Sequence, residues 1–267
     1  MIDQDKPRTD TDPYHMSPER AGTLENELLA HVNARTDRET VHAVWLPQES
    51  EYADLIRTLE CEKFPEIADV MRPFEKQSVF LALVDNRPEV QRIVHAFRLT
   101  SLSHADMEIP EGDTTGVALL DDIIDSDQDL TASEVKDYYE KQGIDLAKCV
   151  SVETNFRVGE KVKVEDGLPV SQKGYLAIFR ELERGGVHEG NAAVFAHLNR
   201  PAVSSLGMAG VEYGPLAGRE DLQTPTVTPD GQRIFDDKYR PVAIIATSHN
   251  VQVFQDLMPF AAPEVSV

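Results

Sequence analysis

The chain has 267 residues, 41% of them hydrophobic and 7% aromatic, which suffices for one large core or two smaller ones. Its formal net charge of −21 opposes contact with phosphate backbones, so we expect no nucleic-acid partner. Apolar runs are too short for a transmembrane helix, and the N-terminus lacks an apolar signal segment. Two cysteines provide no disulfide framework, which favours a cytoplasmic location.

The first half of the chain predicts a tail followed by alternating helices and strands. Residues 1–22 are polar, charged and proline-containing, and are predicted to form a disordered acidic tail. Hydrophobic periodicity then indicates the following elements. They are a helix at 24–32, a strand at 40–47, a helix at 51–64, a helical turn at 67–71, and an antiparallel pair of strands at 78–84 and 91–102. Residues 103–113 are a predicted loop, and 116–129 fit either a strand or a helix.

The second half begins with a capping-box pattern, in which Thr131 precedes Glu134 and predicts a helix to residue 143. Residues 149–158 then alternate in a way typical of a strand, with Ser151, Glu153, Asn155 and Arg157 on the polar face. The later predictions are a helix at 171–184, a strand at 191–198, a helix at 199–209, strands at 211–216 and 240–248, and a helix at 251–258. Residues 217–239 form a long insertion, and the absence of a linker predicts a single domain over 23–267.

A short motif connects the strand at 191–198 with the strand at 211–216. Asn199 is followed by Ala202, by the pair Ser205-Leu206, and by the pair Gly210-Val211. This spacing, together with the order of elements over about 40–248, resembles the GNAT superfamily of Gcn5-related N-acetyltransferases. The resemblance implies an α/β (α+β) fold with a mixed, mostly antiparallel twisted sheet flanked by helices.

A narrower resemblance comes from the strand at 149–158. Glu153, Phe156 and Val158 are similar, with a spacing one residue shorter, to the branch of acyl-homoserine-lactone synthases and N-acyl amino acid synthases. Two features depart from the superfamily pattern. The loop after this strand is long and retains only Gly174 of the usual phosphate-binding glycines, and Leu206 stands where the superfamily has a catalytic tyrosine.

The resemblance implies that acetyl-CoA or a longer acyl-CoA is the cosubstrate. A helix N-terminus and free backbone groups at a strand edge would suit its phosphates and amides. The residues implied in cofactor binding are Val158, Gly159, Lys173, Gly174 and Asn199. For Asn199 a simple helix cap is an equally good interpretation, and for Lys173 a solvated loop position is the alternative.

Glu153 is the predicted catalytic base, because an amine must lose a proton as it attacks a thioester. Partial burial would raise the pKa of its carboxyl toward a useful range, whereas an exposed sheet face is the alternative. Arg98 and Arg157 are candidates for holding a substrate carboxylate, or else for ion pairs within this acidic protein. His95 and His197 are expected to be core or rim residues, and no metal site is predicted, since no histidines show ligand spacing.

These features predict an acyl-CoA-dependent N-acyltransferase that moves an acyl group to an amine of a small molecule by direct attack on the thioester. The alternative is a catalytically degenerate GNAT-fold module that binds a ligand or a partner. The sequence leaves a homodimer open, and it indicates neither the acyl chain nor the acceptor amine.

Overall fold

The computed structural model describes residues 13–34, 40–65, 68, 75, 78–101, 114–126, 129–162, 170–184, 190–227, 233–236, 238–257 and 265–266. The α-helices within them are Pro18–Asn33 (α1), Glu51–Lys63 (α2), Ala118–Ile124 (α3), Ala132–Lys141 (α4), Ser171–Arg184 (α5), Arg200–Ala209 (α6) and Ser248–Leu257 (α7). The strands are Val41–Leu46 (β1), Ser78–Asp85 (β2), Arg92–Ser101 (β3), Val150–Arg157 (β4), Ala193–Asn199 (β5), Tyr213–Pro215 (β6), Thr224–Val227 (β7), Arg233–Asp236 (β8), Tyr239–Ile245 (β9) and Val265–Ser266 (β10).

The chain divides into two compact units. The first comprises Met1–Arg98, Thr154–Ala177 and Met258–Val267, and the second comprises Leu99–Glu153 and Ile178–Leu257. In the first, the strand order is β10-β1-β2-β3-β4, with β10 parallel and β2 antiparallel to β1. In the second it is β3-β4-β5-β9-β6, with β4 parallel to β5 and both β5 and β6 antiparallel to β9.

The predicted fold class, a mixed and mostly antiparallel sheet flanked by helices, is confirmed. In the first unit, α1 buries an apolar stripe of residues three and four apart, as its periodicity predicts. This stripe packs with α2 and with the apolar faces of β1, β2 and β3. In the second unit, β7 and β8 form a separate two-stranded sheet within the predicted insertion at 217–239. The organisation of 23–267 as one domain stays a prediction.

The predicted disordered tail is too long at its C-terminal end. Residues 1–12 lie outside the described residues, but Tyr14 is only 1% exposed. Ser17 caps α1 by accepting a hydrogen bond from the backbone N–H of Arg20, and Pro18 occupies the first turn. The low apolar content of 1–22 concealed this anchoring, because a single buried tyrosine and one cap suffice to hold the segment.

Most other elements agree with prediction to within a few residues, including the capping box of α4. The ambiguous stretch 116–129 contains the helix α3. The helical turn at 67–71 and the loop at 103–113 fall almost entirely outside the described residues. The short strand β10, which pairs with β1, was not predicted because its two paired residues are too few to show periodicity.

The burial of β4 alternates over its second half, as its sequence predicts. Thr154 and Phe156 are buried, whereas Glu153 and Asn155 are half-buried and Arg157 is exposed. The predicted polar face of this strand is therefore found from Glu153 onward.

Candidate functional site at the end of the β4–β5 ladder

The parallel ladder between β4 and β5 covers only three residue pairs, from residues 150–152 to residues 194–196. Beyond its last pair, β5 continues to Asn199 in register with β9. Glu153 and His197 are the first residues past the end of the ladder. A strand that leaves its neighbour presents backbone N–H and C=O groups that can pair with a ligand. The end of this ladder is therefore the candidate site, and the residues described below as part of it belong to the second unit.

Glu153 is half-buried at this position. Its Oε1 accepts a hydrogen bond from the hydroxyl of Thr100, with an oxygen–oxygen distance of 2.7 Å. Thr100 is itself buried, so it holds the carboxylate in one orientation. Two residues earlier on the same face, Ser151 is fully buried, and its hydroxyl has no hydrogen-bond partner among the described residues. The sequence did not indicate Thr100, because a threonine on a strand carries no signal of its own.

Aromatic side chains cover this face of the sheet beside the site. Phe195 is the register partner of Ser151, and its ring packs edge-on against Tyr139 of α4 with centroids 5.2 Å apart. The hydroxyl of Tyr139 accepts a hydrogen bond from the backbone N–H of Ala217, at 2.9 Å. The start of the insertion is thus tied to α4. Gly218 has a φ of +71°, and a Cβ there would clash with the ring of Tyr138.

His197 is half-buried next to the end of the ladder, and its Nδ1 lies 2.9 Å from the hydroxyl of Thr224. Burial lowers the pKa of His197 to about 4, so the imidazole is neutral at pH 7. The prediction of a core or rim histidine fits its burial. It did not include the partner Thr224, which lies 27 residues away in the chain.

The buried cysteine of this unit is not suited to nucleophilic catalysis. Burial raises the pKa of the Cys149 thiol to about 12, which keeps it protonated at neutral pH. Its Sγ accepts a hydrogen bond from the backbone N–H of Ala193, at 3.2 Å, so it serves as a structural partner for β5. A covalent acyl-cysteine step therefore has no support here.

The motif that begins at Asn199 defines the two ends of α6. The side chain of Asn199 accepts a hydrogen bond from the backbone N–H of Ala202, at 2.9 Å. Gly210 adopts the left-handed conformation with a φ of 82°, and the N–H of Val211 donates to the carbonyl of Leu206. Asn199 therefore caps α6, as the alternative interpretation of this residue predicts. A role in cofactor binding stays a prediction.

The remaining residues implied in cofactor binding lie in the first unit. The backbone N–H of Val158 donates to the carbonyl of Val94, at 3.1 Å, so this amide is already paired within the sheet and is not available to a cofactor. Gly159 is exposed with a φ of +66°, and the guanidinium of Arg92 packs against its Cα. Lys173 is only 4% exposed within α5, which contradicts a solvated loop position. Of this group, Gly159 is the exposed residue.

Gly174 has a packing role. A Cβ at this position would fall within the ring of Phe97 on β3. The glycine therefore allows α5 to approach the strand closely, and Phe97 in turn packs edge-on against Tyr175 with centroids 5.7 Å apart. Gly174 is therefore required for this packing, and its role in cofactor binding stays a prediction.

Gly174→Ala is expected to lower the free energy of unfolding by about 1–3 kcal/mol, because the methyl group overpacks the contact with Phe97. Chemical denaturation measures the effect. Gly22→Ala in α1 is the matched control, since nothing lies within 4 Å of its added Cβ. The control should gain about 0.5–1 kcal/mol from helix propensity. Equal stability of the two variants would contradict the packing role of Gly174.

The two arginines predicted to bind substrate have different environments. Arg98 is fully buried, and its guanidinium binds Glu60, Glu75, Tyr14 and Ser78. Burial alone would lower the pKa of Arg98, but the carboxylate of Glu60 outweighs it and raises the pKa. The prediction that Arg98 holds a substrate carboxylate is therefore not carried further.

Arg157 ends β4 and is exposed. Burial lowers the pKa of the neighbouring His95 to about 4. The hydrogen bond with Asn155 raises this pKa, whereas the positive charge of Arg157 lowers it further. Asn155 also donates to the hydroxyl of Tyr175, at 3.2 Å. Of the two arginines predicted to bind substrate, Arg157 is the exposed one, and its role stays a prediction.

Within the described residues, no helix is long and apolar enough to cross a membrane. Among the same residues, no three histidine, cysteine, aspartate or glutamate side chains are grouped so as to hold a metal ion.

Comparison with known proteins gives likenesses at the level of structure. No family model matches the sequence, and no curated protein matches it. A solved structure of BjaI, a CoA-dependent acyl-homoserine lactone synthase with SAM and isopentyl-CoA, is 11% identical with a TM-score of 0.46, over 85% of this chain and 93% of that one. MesI, another CoA-dependent acyl-homoserine lactone synthase, is 11% identical with a TM-score of 0.41, over 84% and 98%. The AHL synthase LasI is 7% identical with a TM-score of 0.40, over 85% and 98%.

Proposed function

We propose that the protein is an acyl-CoA-dependent N-acyltransferase that transfers an acyl group to an amine of a small molecule. The observation that carries this proposal is the end of the β4–β5 ladder, where Glu153 is half-buried and held by Thr100 at 2.7 Å. The free strand edge offers backbone groups for the amides of the pantetheine arm. The oriented carboxylate next to it offers a proton acceptor.

In the proposed reaction, the carboxylate of Glu153 accepts a proton from the acceptor amine, directly or through one water molecule. The amine nitrogen attacks the carbonyl carbon of the thioester, and a carbon–nitrogen bond forms. The carbon–sulfur bond then breaks, and the thiolate of coenzyme A leaves and takes up a proton from water, while Glu153 returns to water the proton that it accepted. The products are an amide and free coenzyme A, with no acyl-enzyme intermediate.

Other residues keep supporting roles in this proposal. The N-terminus of α6, capped by Asn199, carries the partial positive charge that favours anionic groups. Gly159 of the first unit stays a predicted cofactor-binding residue. The exposed guanidinium of Arg157 is a candidate partner for a substrate carboxylate. The acyl chain is proposed as acetyl or longer.

Calorimetric titration with acetyl-CoA and octanoyl-CoA tests the proposal, with free coenzyme A as the control for binding without an acyl group. We expect saturable binding of at least one acyl-CoA. Release of free thiol in the presence of a pooled set of amino acids and small amines then tests the transfer. A folded protein that binds no acyl-CoA would contradict the proposal. Binding without thiol release would instead favour the non-catalytic module.

A further inference from the structure

His197 is a second polar residue at the end of the β4–β5 ladder, and it lies opposite Glu153. The register pairs Ser151 with Phe195, and partners in a parallel pair place their side chains on the same face. Glu153 lies two residues after Ser151, and His197 lies two residues after Phe195. Both side chains therefore face the same side, one residue past the last pair of the ladder.

The ring of His197 is held by one nitrogen. Nδ1 lies 2.9 Å from the hydroxyl of Thr224, whereas Nε2 has no hydrogen-bond partner among the described residues. Thr224 is 4% exposed, and within the described residues Nδ1 is the acceptor that its hydroxyl faces. A buried hydroxyl that cannot donate is costly, so the hydroxyl donates to Nδ1. The proton of the neutral imidazole then resides on Nε2.

We infer that His197, oriented by Thr224, donates the Nε2–H hydrogen bond to the carbonyl oxygen of the acyl-CoA thioester; this rests on the proposed function. Negative charge develops on that oxygen as the amine attacks, and a fixed donor stabilises it. Glu153 removes a proton from the amine. Glu153 is thus the base, and His197 is the hydrogen-bond donor to the thioester oxygen.

The neutral state of His197 suits this role. Burial keeps the imidazole uncharged at neutral pH, and a neutral imidazole can polarise a carbonyl without giving up its proton. In this role of His197, part of the insertion at 217–239 has a function, because it contributes the partner of the imidazole. The insertion supplies Thr224 from the first residue of β7, while its start is tied to Tyr139 beside the same face.

The tautomer is tested by long-range proton–nitrogen correlation NMR of the ¹⁵N-histidine-labelled full chain. We expect His197 to carry its proton on Nε2 in the wild type and in Thr224→Ser, and a mixed population in Thr224→Val. A wild-type proton on Nδ1 would overturn the inference.

The contact with substrate is tested by infrared difference spectra of bound octanoyl-CoA that carries ¹³C at its carbonyl. The carbonyl band should lie at lower wavenumber in the wild type than in His197→Leu, with the dissociation constant changed less than about threefold. His197→Gln, which restores an N–H donor, should recover part of the shift, and the exposed His15→Leu is the matched control. The kcat of His197→Leu should fall about 10²–10³-fold, the usual cost of one such donor.

The outcomes separate the two proposals. An unchanged carbonyl band in His197→Leu, with octanoyl-CoA still bound, would overturn the role of His197 and leave the acyltransferase proposal standing. A wild-type protein that fails to bind octanoyl-CoA would overturn the acyltransferase proposal and, with it, this inference.

Discussion

Glu153→Gln is expected to lower the kcat of acyl transfer by about 10²–10⁴-fold, the range over which a positioned general base contributes. The amide keeps the shape of the side chain and can still accept the hydrogen bond from Thr100, which is 2.7 Å long in the wild type. It cannot take a proton from the amine. The dissociation constant of acyl-CoA should therefore change little, because the thioester does not need the base in order to bind.

Steady-state release of thiol gives kcat, and calorimetry gives the dissociation constant. Glu140→Gln is the matched control, since Glu140 is exposed on α4 in the same unit. The control should retain wild-type kcat. If turnover by Glu153→Gln equals that of the control, Glu153 has no part in proton transfer.

The largest expected effect on stability comes from the buried charges of the first unit. Arg98 and Glu60 are both fully buried, and the guanidinium binds the carboxylate through Nη2 at 2.6 Å and through Nε at 3.0 Å. Arg98→Met removes the cation and leaves the carboxylate of Glu60 in the core, with Thr154 as its remaining donor in this network. Breaking a buried pair in this way costs about 3–5 kcal/mol. Urea denaturation measures the loss in the free energy of unfolding.

Two comparisons make this prediction specific. Arg184→Met removes an exposed pair with Glu181, whose side chains are 50% and 39% exposed, and should cost less than about 1 kcal/mol. The double variant Arg98→Met/Glu60→Gln should lose less stability than the sum of its single variants, because no uncompensated charge remains. A loss for Arg98→Met no greater than for Arg184→Met would contradict the prediction.

Hydrophobic periodicity was sufficient to predict the helices and strands that have one apolar face. The stripe of α1, the alternation along β4 and the capping box of α4 are local signals, and they predicted the corresponding elements. The same reasoning left residues 116–129 open and found no element in the insertion. Those segments are short, and their pattern depends on packing partners far away in the chain.

Several candidate residues have packing partners that the sequence does not show. Gly174 and Lys173 stay predicted cofactor-binding residues, but Gly174 packs against Phe97 and Lys173 is buried. For Arg98 the alternative, ion pairs within this acidic protein, is found, with Glu60 of α2 and Glu75 as its partners. Glu60 lies on the apolar stripe of α2. A carboxylate at such a position is itself a sequence signal that a cation is buried beside it.

The sequence by itself determined the order of the main elements, because each element depends on residues close together in the chain. The fold class followed from the resemblance that this order and the motif at Asn199 carry, and Glu153 was the base predicted on that reading. The tertiary structure decided where the β4–β5 ladder ends, that Thr100 holds Glu153, and that Thr224 holds His197. These contacts join residues 53 and 27 positions apart. No periodicity links positions so distant, since only the folded sheet and the insertion packed on it bring the side chains together.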